Sequence, residues 1–280
     1  MLNSLNKRTK VTSITDLILE GKDHTMKDRG YKRTHASDLT KDDFCPRMVC
    51  LVRKYKKPLP PQRIPKATQL TFDMGNHIAD LVIHTWAKGK VIGDWKCRNC
   101  GTKLLWRKEP QHHCHCGCKL WHYEEVRFKD LVSGATGGVD MFVELQPNRY
   151  TAVELKIMAT EKFNDLVAPL AEHRLRTQLY LELIKFSDHP QKSVIIPDKA
   201  KVFYVSRGHG KKNGKFGVVP FKEFDIKPDP QAVRPYRIDA VKIKVWEEKG
   251  ILPPRVCEFE ICSQAKHCPV AAECFHKEQP

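Results

Sequence analysis

Apolar and polar residues alternate with a period of two in consecutive runs near the middle of the chain, and that period belongs to strands. In YTAVELKIM, Val153, Leu155 and Ile157 fall on one face while Glu154 and Lys156 fall on the other. In the run before it, Val139, Met141 and Val143 alternate with Asp140, Phe142 and Glu144, and QPNR between the two supplies turn residues. With Pro147, Asn148 and Arg149 as the loop, Asp140 stands opposite Lys156, and both share a side with Glu154. Tyr123 to Lys129 predicts a third strand, and Lys201 to Ser206 returns to the same sheet.

A helical period sets in around Pro169 to Phe186, where Leu175, Leu179 and Leu183 form a core-facing stripe that covers the sheet. Three further helices are expected. One runs from Thr40 to about Arg53, because Thr40 precedes Asp43 with the spacing of a capping box. After the proline-rich link KKPLPPQRIP, a second spans Thr71 to Lys88 and is closed by Gly89. A third lies near Gln231 to Lys249. GHGKKNGKFG reads as a basic turn between strands, and no internal repeat is present. The alternation of these elements is that of an α/β protein.

The polar face of the hairpin carries chemistry. Magnesium takes hard oxygen ligands and keeps several waters, so Asp140, Glu154 and the Leu155 carbonyl are a sufficient protein contribution. The metal would acidify a bound water, and Lys156 would orient that water or stabilise charge on a scissile phosphate. The same pattern also fits a half-exposed hairpin with solvated charges.

Charge favours the first reading. The chain has 280 residues and 41% hydrophobic residues, enough for a substantial core. Lysine and arginine number 49 against 33 acids, a formal charge of +16 spread along the sequence, and a polyanion is the expected partner. Nucleic acid fits better than an anionic membrane, since no basic amphipathic helix stands out. No signal-like or membrane-spanning run is visible, so the expected compartment is a reducing cytoplasm.

In that compartment the eleven cysteines point to metal rather than disulfides. CRNCGTKLLWRKEPQHHCHCGC pairs Cys97 and Cys100 with Cys114 and Cys116, the two-knuckle spacing of a zinc ribbon, with His113 and Cys118 as alternates. Few apolar residues lie there, so metal is expected to supply its folding energy. The surrounding Arg107, His112, His113, His115 and Lys119 could touch a nucleic-acid backbone. FCPRMVC near the start holds Cys45 and Cys50, and the last stretch holds Cys257, Cys262, Cys268 and Cys274. One N-terminal and three C-terminal thiolates would tie the chain ends together, and their spacing suits zinc or a four-iron cluster alike.

Taken in order, FCPR, FDMGNHIADL, GGVD, VELK, PLAEHRLRTQLYLEL and CPVAAECF resemble a RecB-like nuclease of the PD-(D/E)XK superfamily. The resemblance runs from about Ser37 to Phe275. Its branch is the iron-sulfur one that includes CRISPR-adaptation exonucleases, AddB nuclease domains and phage-encoded relatives. It implies a restriction-endonuclease-like α/β core, a central mixed sheet flanked by helices, with a zinc-ribbon-like insertion and a C-terminal cysteine cluster. Residues 1–36 would be an N-terminal extension, 37–95 the helical start of the nuclease domain, 96–122 the ribbon, 123–250 the core and 251–280 the iron-sulfur segment.

The resemblance also implies DNA as substrate, magnesium or manganese at Asp140, Glu154 and Leu155, and a 4Fe–4S cluster on Cys45, Cys257, Cys268 and Cys274, with Cys262 as alternate. Relatives carry a metal-binding histidine where Ala79 stands here. His77 is the candidate replacement, although two positions rotate it about 200° around the helix, and His84 lies nearby. The downstream helix of the family bears a glutamine and a tyrosine; alignment through Tyr180 puts Arg176 at the glutamine, leaving Gln178 beside it. Pro169 and His173 fall where phage relatives have the same residues. Arg176, Gln178 and Tyr180 are the expected DNA-binding set.

The expected activity is a metal-dependent deoxyribonuclease, an exonuclease on DNA ends or single strands, with recombination or replication proteins as the partner class. The alternative is a nucleic-acid-binding or recruitment protein on a nuclease scaffold. A redox sensor built on the cluster is a third reading.

Overall fold

The computed structural model describes residues 24–25, 32–57, 63–208 and 220–277. In chain order the elements are β1 (His24–Thr25), α1 (Ala36–Leu39), α2 (Pro46–Tyr55), β2 (Arg63–Ile64), α3 (Lys66–Leu81), β3 (Val91–Cys97), β4 (Lys103–Arg107), β5 (Trp121–Glu124) and β6 (Val126–Lys129). There follow β7 (Thr136–Val139), β8 (Met141–Gln146), β9 (Arg149–Met158), α4 (Thr160–Asn164), α5 (Ala171–Lys185), β10 (Ile195–Ser206), β11 (Phe221–Ile226), α6 (Pro230–Lys249) and α7 (Ser263–Lys266). The basic segment 209–219 lies outside the described residues.

Seven strands form one mixed sheet in the order β11-β10-β9-β8-β3-β4, with β5 also paired to β3. Only β9 and β10 run parallel within it, joined by the crossover through α4 and α5. The fold is therefore α/β, a central mixed sheet flanked by helices, with a cysteine ribbon at one end. β6 and β7 pair separately as a small antiparallel ladder.

Both faces of β9 are covered. Ala152 and Met158 pack with Phe142, Leu179, Leu183, Val202 and Tyr204 under α5, while Val153 and Leu155 pack with Met141, Trp95 and Val205 on the opposite face. Burial on two faces explains why β9 is buried at most positions instead of alternating with solvent. The end of α5 is buried from Thr177 through Ile184, where Leu179 and Leu183 match the expected stripe. α6 is locked onto this layer by Arg237, whose guanidinium bonds Asp130 and, at 3.1 Å, Glu182.

Several boundaries differ from the sequence reading. The helix expected from Thr40 begins only at Pro46, which starts α2 at its first turn, where its missing N–H is harmless, and Cys45 before it is extended. Thr40 caps the C-terminus of α1 and begins nothing. α3 starts at Lys66, five residues early, and passes into a π-helical turn over Val82–Trp86 before Gly89 stops it at φ +74°. The strand expected from Tyr123 to Lys129 breaks at Glu125, and the one through Asp140 divides into β7 and β8.

The hairpin register also shifts. Gln146 faces Arg149 across a Pro147–Asn148 turn, with Asn148 at φ +57°, and a bulge at Leu145 then sets Met141 opposite Val153. Asp140 thus lies two residues from the expected partner, beside Glu154 rather than opposite Lys156. A slip of two leaves the facing of every side chain unchanged, so the three polar groups still converge.

Candidate active site and metal centres

Asp140 occupies the bend between β7 and β8, where the chain leaves the small ladder for the large sheet. Its Oδ2 accepts a 2.7 Å hydrogen bond from Leu155 N and lies 3.7 Å from Lys156 Nζ. Lys156 Nζ stands 2.6 Å from Glu154 Oε1 and donates to the Leu155 carbonyl at 3.2 Å. Arg176 Nη1 comes from α5 to within 3.6 Å of the same Glu154 oxygen. The other oxygen, Glu154 Oε2, is buried without a hydrogen-bond partner.

That orphaned oxygen is the most informative feature of the hairpin. Glu154 is only 2% exposed. Burial, followed by the neighbouring Asp140 charge, pushes its carboxyl up to about 7 despite Lys156. Lys156 is raised as well, by Asp140 and then Glu154 against the opposing effect of its own burial, and stays a cation. An uncompensated buried carboxylate oxygen beside a second carboxylate fits a hard divalent ion, which takes oxygen ligands and returns charge balance.

A cleft of about 560 Å³ opens over these groups. Lys32, Arg33, Arg127 and Arg176 give it a basic wall, and Tyr180 lines it from α5. Gly137 and Gly138 allow its walls to close up: a Cβ at Gly137 would lie 2.8 Å from Leu183 Cδ1, and one at Gly138 2.2 Å from Glu125 Oε2. His35 and Glu125 also line the cleft and were missed in the sequence reading. His35 precedes α1 and is placed by a β-bridge to Thr136, a contact between segments a hundred residues apart. Glu125 carries a faint signal, the break in strand period at EE.

Two expected residues lie elsewhere. His77 is exposed on α3 and absent from the cleft; its neighbours Ile78 and Ala79 pack on the sheet face opposite Glu154. Gln178 turns away because a helix rotates about 200° over the two residues that separate it from Tyr180. Its amide donates to the Lys227 carbonyl at 3.3 Å. Glu182 is likewise occupied by Arg237, so Arg176 and Tyr180 are the pair on the cleft side of α5. His173 bonds Tyr204 Oη at 2.9 Å, and burial followed by Lys156 lowers it to about 4.

The cysteine ribbon assembles as its spacing predicts. Sulfurs of Cys97, Cys100, Cys114 and Cys116 all lie within 4.8 Å of one another, with Cys97 to Cys116 at 3.6 Å and Cys100 to Cys114 at 3.5 Å. Four bonds of about 2.3 Å in a tetrahedron put sulfurs about 3.8 Å apart, so this cluster could hold a metal ion. His113 and Cys118 stay outside it; Cys118 Sγ accepts from Leu120 N. A hydrogen bond with the Thr102 hydroxyl draws the Cys100 thiol down to about 6. The ribbon is not independent of the core: Cys97 and Cys114 pack with Trp95, Trp121 and Tyr123 in the cluster that also holds Val153 and Leu155.

In a second group, Cys45, Cys257, Cys268 and Cys274 line one small cavity. Cys45 caps α2, its Sγ accepting from Met48 N at 3.4 Å, and Cys262 caps α7 in the same way without lining the cavity. Cys50 is fully buried against Val49 and Ile243. Burial pushes Cys45, Cys257 and Cys268 up, which a bound positive centre would relieve.

No family model matches the chain, and no curated protein matches it. Among solved structures, the crystal structure of SSO0001 aligns over 90% of this chain and 89% of its own, with 14% identity and a TM-score of 0.37. Among the described residues, no helix is long and apolar enough to cross a membrane.

Proposed function

We propose that the protein is a metal-dependent deoxyribonuclease of the RecB-like PD-(D/E)XK type that hydrolyses phosphodiester bonds at DNA ends or in single strands. The observation that carries this reading is the unpartnered, buried Glu154 oxygen beside Asp140 and Lys156 under a basic cleft. Asp140, Glu154 and the Leu155 carbonyl would hold the ion. Magnesium or manganese, when bound, supplies Lewis-acid polarisation of the phosphate and an acidified water.

The chain's own residues supply the rest. Arg176, Arg127, Lys32 and Arg33 bind the phosphates on either side of the scissile bond and fix its position over the carboxylates. Lys156 keeps its proton, and its ammonium stabilises the charge that grows on the phosphoryl oxygens. Asp140 is held against rotation by Leu155 N, so its free oxygen is preorganised. Zinc on Cys97, Cys100, Cys114 and Cys116, and a 4Fe–4S cluster on Cys45, Cys257, Cys268 and Cys274, would be two structural clamps.

The deciding experiment digests end-labelled linear and closed circular DNA with magnesium or manganese, using wild-type and Asp140→Asn protein. Metal-dependent shortening of linear DNA, lost in the variant, is expected. Full cleavage by the variant would remove the site assignment. Binding without cleavage by wild-type protein would favour the alternative of a recruitment protein on a nuclease scaffold.

A further inference from the structure

A second cavity of about 730 Å³ opens beside the catalytic cleft, between the stem of the cysteine ribbon and the loop after α5. Glu125 and Arg127 line both, so the two cavities adjoin across this strand. That shared wall follows from the break in strand period. Trp121 and Tyr123 are buried, then Val126 and Phe128, so the two acids between them both leave the core.

One wall is aromatic. Trp106 holds φ at +49°, a strained conformation for so large a side chain. Asp94 Oδ1 fixes it there by accepting from Trp106 N at 2.9 Å. The indole meets the His189 ring at 5.5 Å, and both rings line the cavity. The charges are mixed: Asp94, Glu124 and Glu125 stand against Arg127 and Lys103, and Lys103 pairs with Glu124. Three carboxylates disfavour a phosphate inside, yet they accept hydrogen bonds from the amino and ring N–H groups of a base. Aromatic faces stack bases of any sequence, and Lys103 and Arg127 suit the adjoining phosphates.

We infer that this cavity receives one unpaired nucleobase of the substrate strand, next to the scissile phosphate, and so makes single-stranded or frayed ends the substrate. The inference rests on the nuclease reading for the position of that phosphate. A base inside a duplex has both faces covered by its neighbours and cannot enter such a pocket without unpairing.

The test uses short labelled single strands in which one abasic position is moved along the chain. Affinity is measured by fluorescence anisotropy with Asp140→Asn protein in chelator, and cleavage in parallel with wild-type protein in magnesium. One abasic position should weaken binding about tenfold, while the others have little effect. Trp106→Leu should flatten that profile. Because Trp106 also packs against Phe142 and Tyr150, His189→Ala serves as a second variant, with thermal unfolding as the check on folding. A flat profile in Asp140→Asn protein with the native pocket, or an unchanged profile in folded His189→Ala protein, overturns the inference. Cleavage with no positional effect removes the pocket and keeps the nuclease. A positional effect on binding without any cleavage by wild-type protein keeps the pocket and removes the nuclease reading.

Discussion

Substituting Glu154 by Gln should stabilise the metal-free protein at alkaline pH while destroying its activity. The folded carboxyl titrates near 7 against an ordinary 4.5, because burial and Asp140 disfavour its charge. Between those values the folded state holds a proton that the unfolded state has released, so stability falls as pH rises through that window and stays low above it. At about 1.4 kcal/mol for each tenfold in proton affinity, the difference is about 3 kcal/mol. Glutamine is isosteric and cannot ionise. In urea titrations with chelator, wild type and variant should therefore match at about pH 4, below both values, and the variant should be more stable by about 3 kcal/mol at pH 8. His173 titrates the other way, with its folded value lowered to about 4, and stability gained from it rises between about 4 and 6.5. Both proteins carry His173, so it cancels in the comparison. Magnesium should stabilise wild type at pH 8 and leave the variant unchanged. A variant less stable than wild type at pH 8 would refute the reasoning, since it would make the Lys156–Glu154 ion pair a structural bond and not a strained ligand set.

Four further outcomes follow from the geometry. Arg176→Ala should reduce cleavage on the order of a hundredfold, whereas Gln178→Ala should change it little because that amide faces the Lys227 carbonyl; steady-state rates on one substrate separate them. Gly137→Ala should cost about 1–3 kcal/mol in chemical denaturation, since its Cβ would meet Leu183 and Tyr180. Cys97→Ser should release bound metal and lower the thermal midpoint of the whole chain, because Cys97 ends a strand of the main sheet; elemental analysis and calorimetry report both. Anaerobically purified protein should contain iron that Cys268→Ser loses and Cys262→Ser retains, read by iron content and visible absorbance.

Much of the hairpin was legible in sequence because a strand fixes facing by parity alone. Asp140, Glu154 and Lys156 converge whether the register is the expected one or two residues away. The ribbon was legible for a similar reason: knuckle spacings are local, and Cys97, Cys100, Cys114 and Cys116 needed only one turn each to meet. His77 and Gln178 lie outside the cleft because a single helical position turns a side chain by about 100°, so neighbours in sequence face different surroundings.

The sequence by itself determined the chemistry available at the site and the α/β alternation that delivers it, since both rest on short-range period and residue type. Tertiary structure alone decided the burial that leaves Glu154 Oε2 without a partner, the meeting of Cys45 with Cys257, Cys268 and Cys274 around one cavity, and the bridge that sets His35 beside Thr136. Each of these joins segments remote in the chain or depends on what surrounds a residue on every side. Local pattern records neither, because it specifies which way a side chain points and not what it meets there.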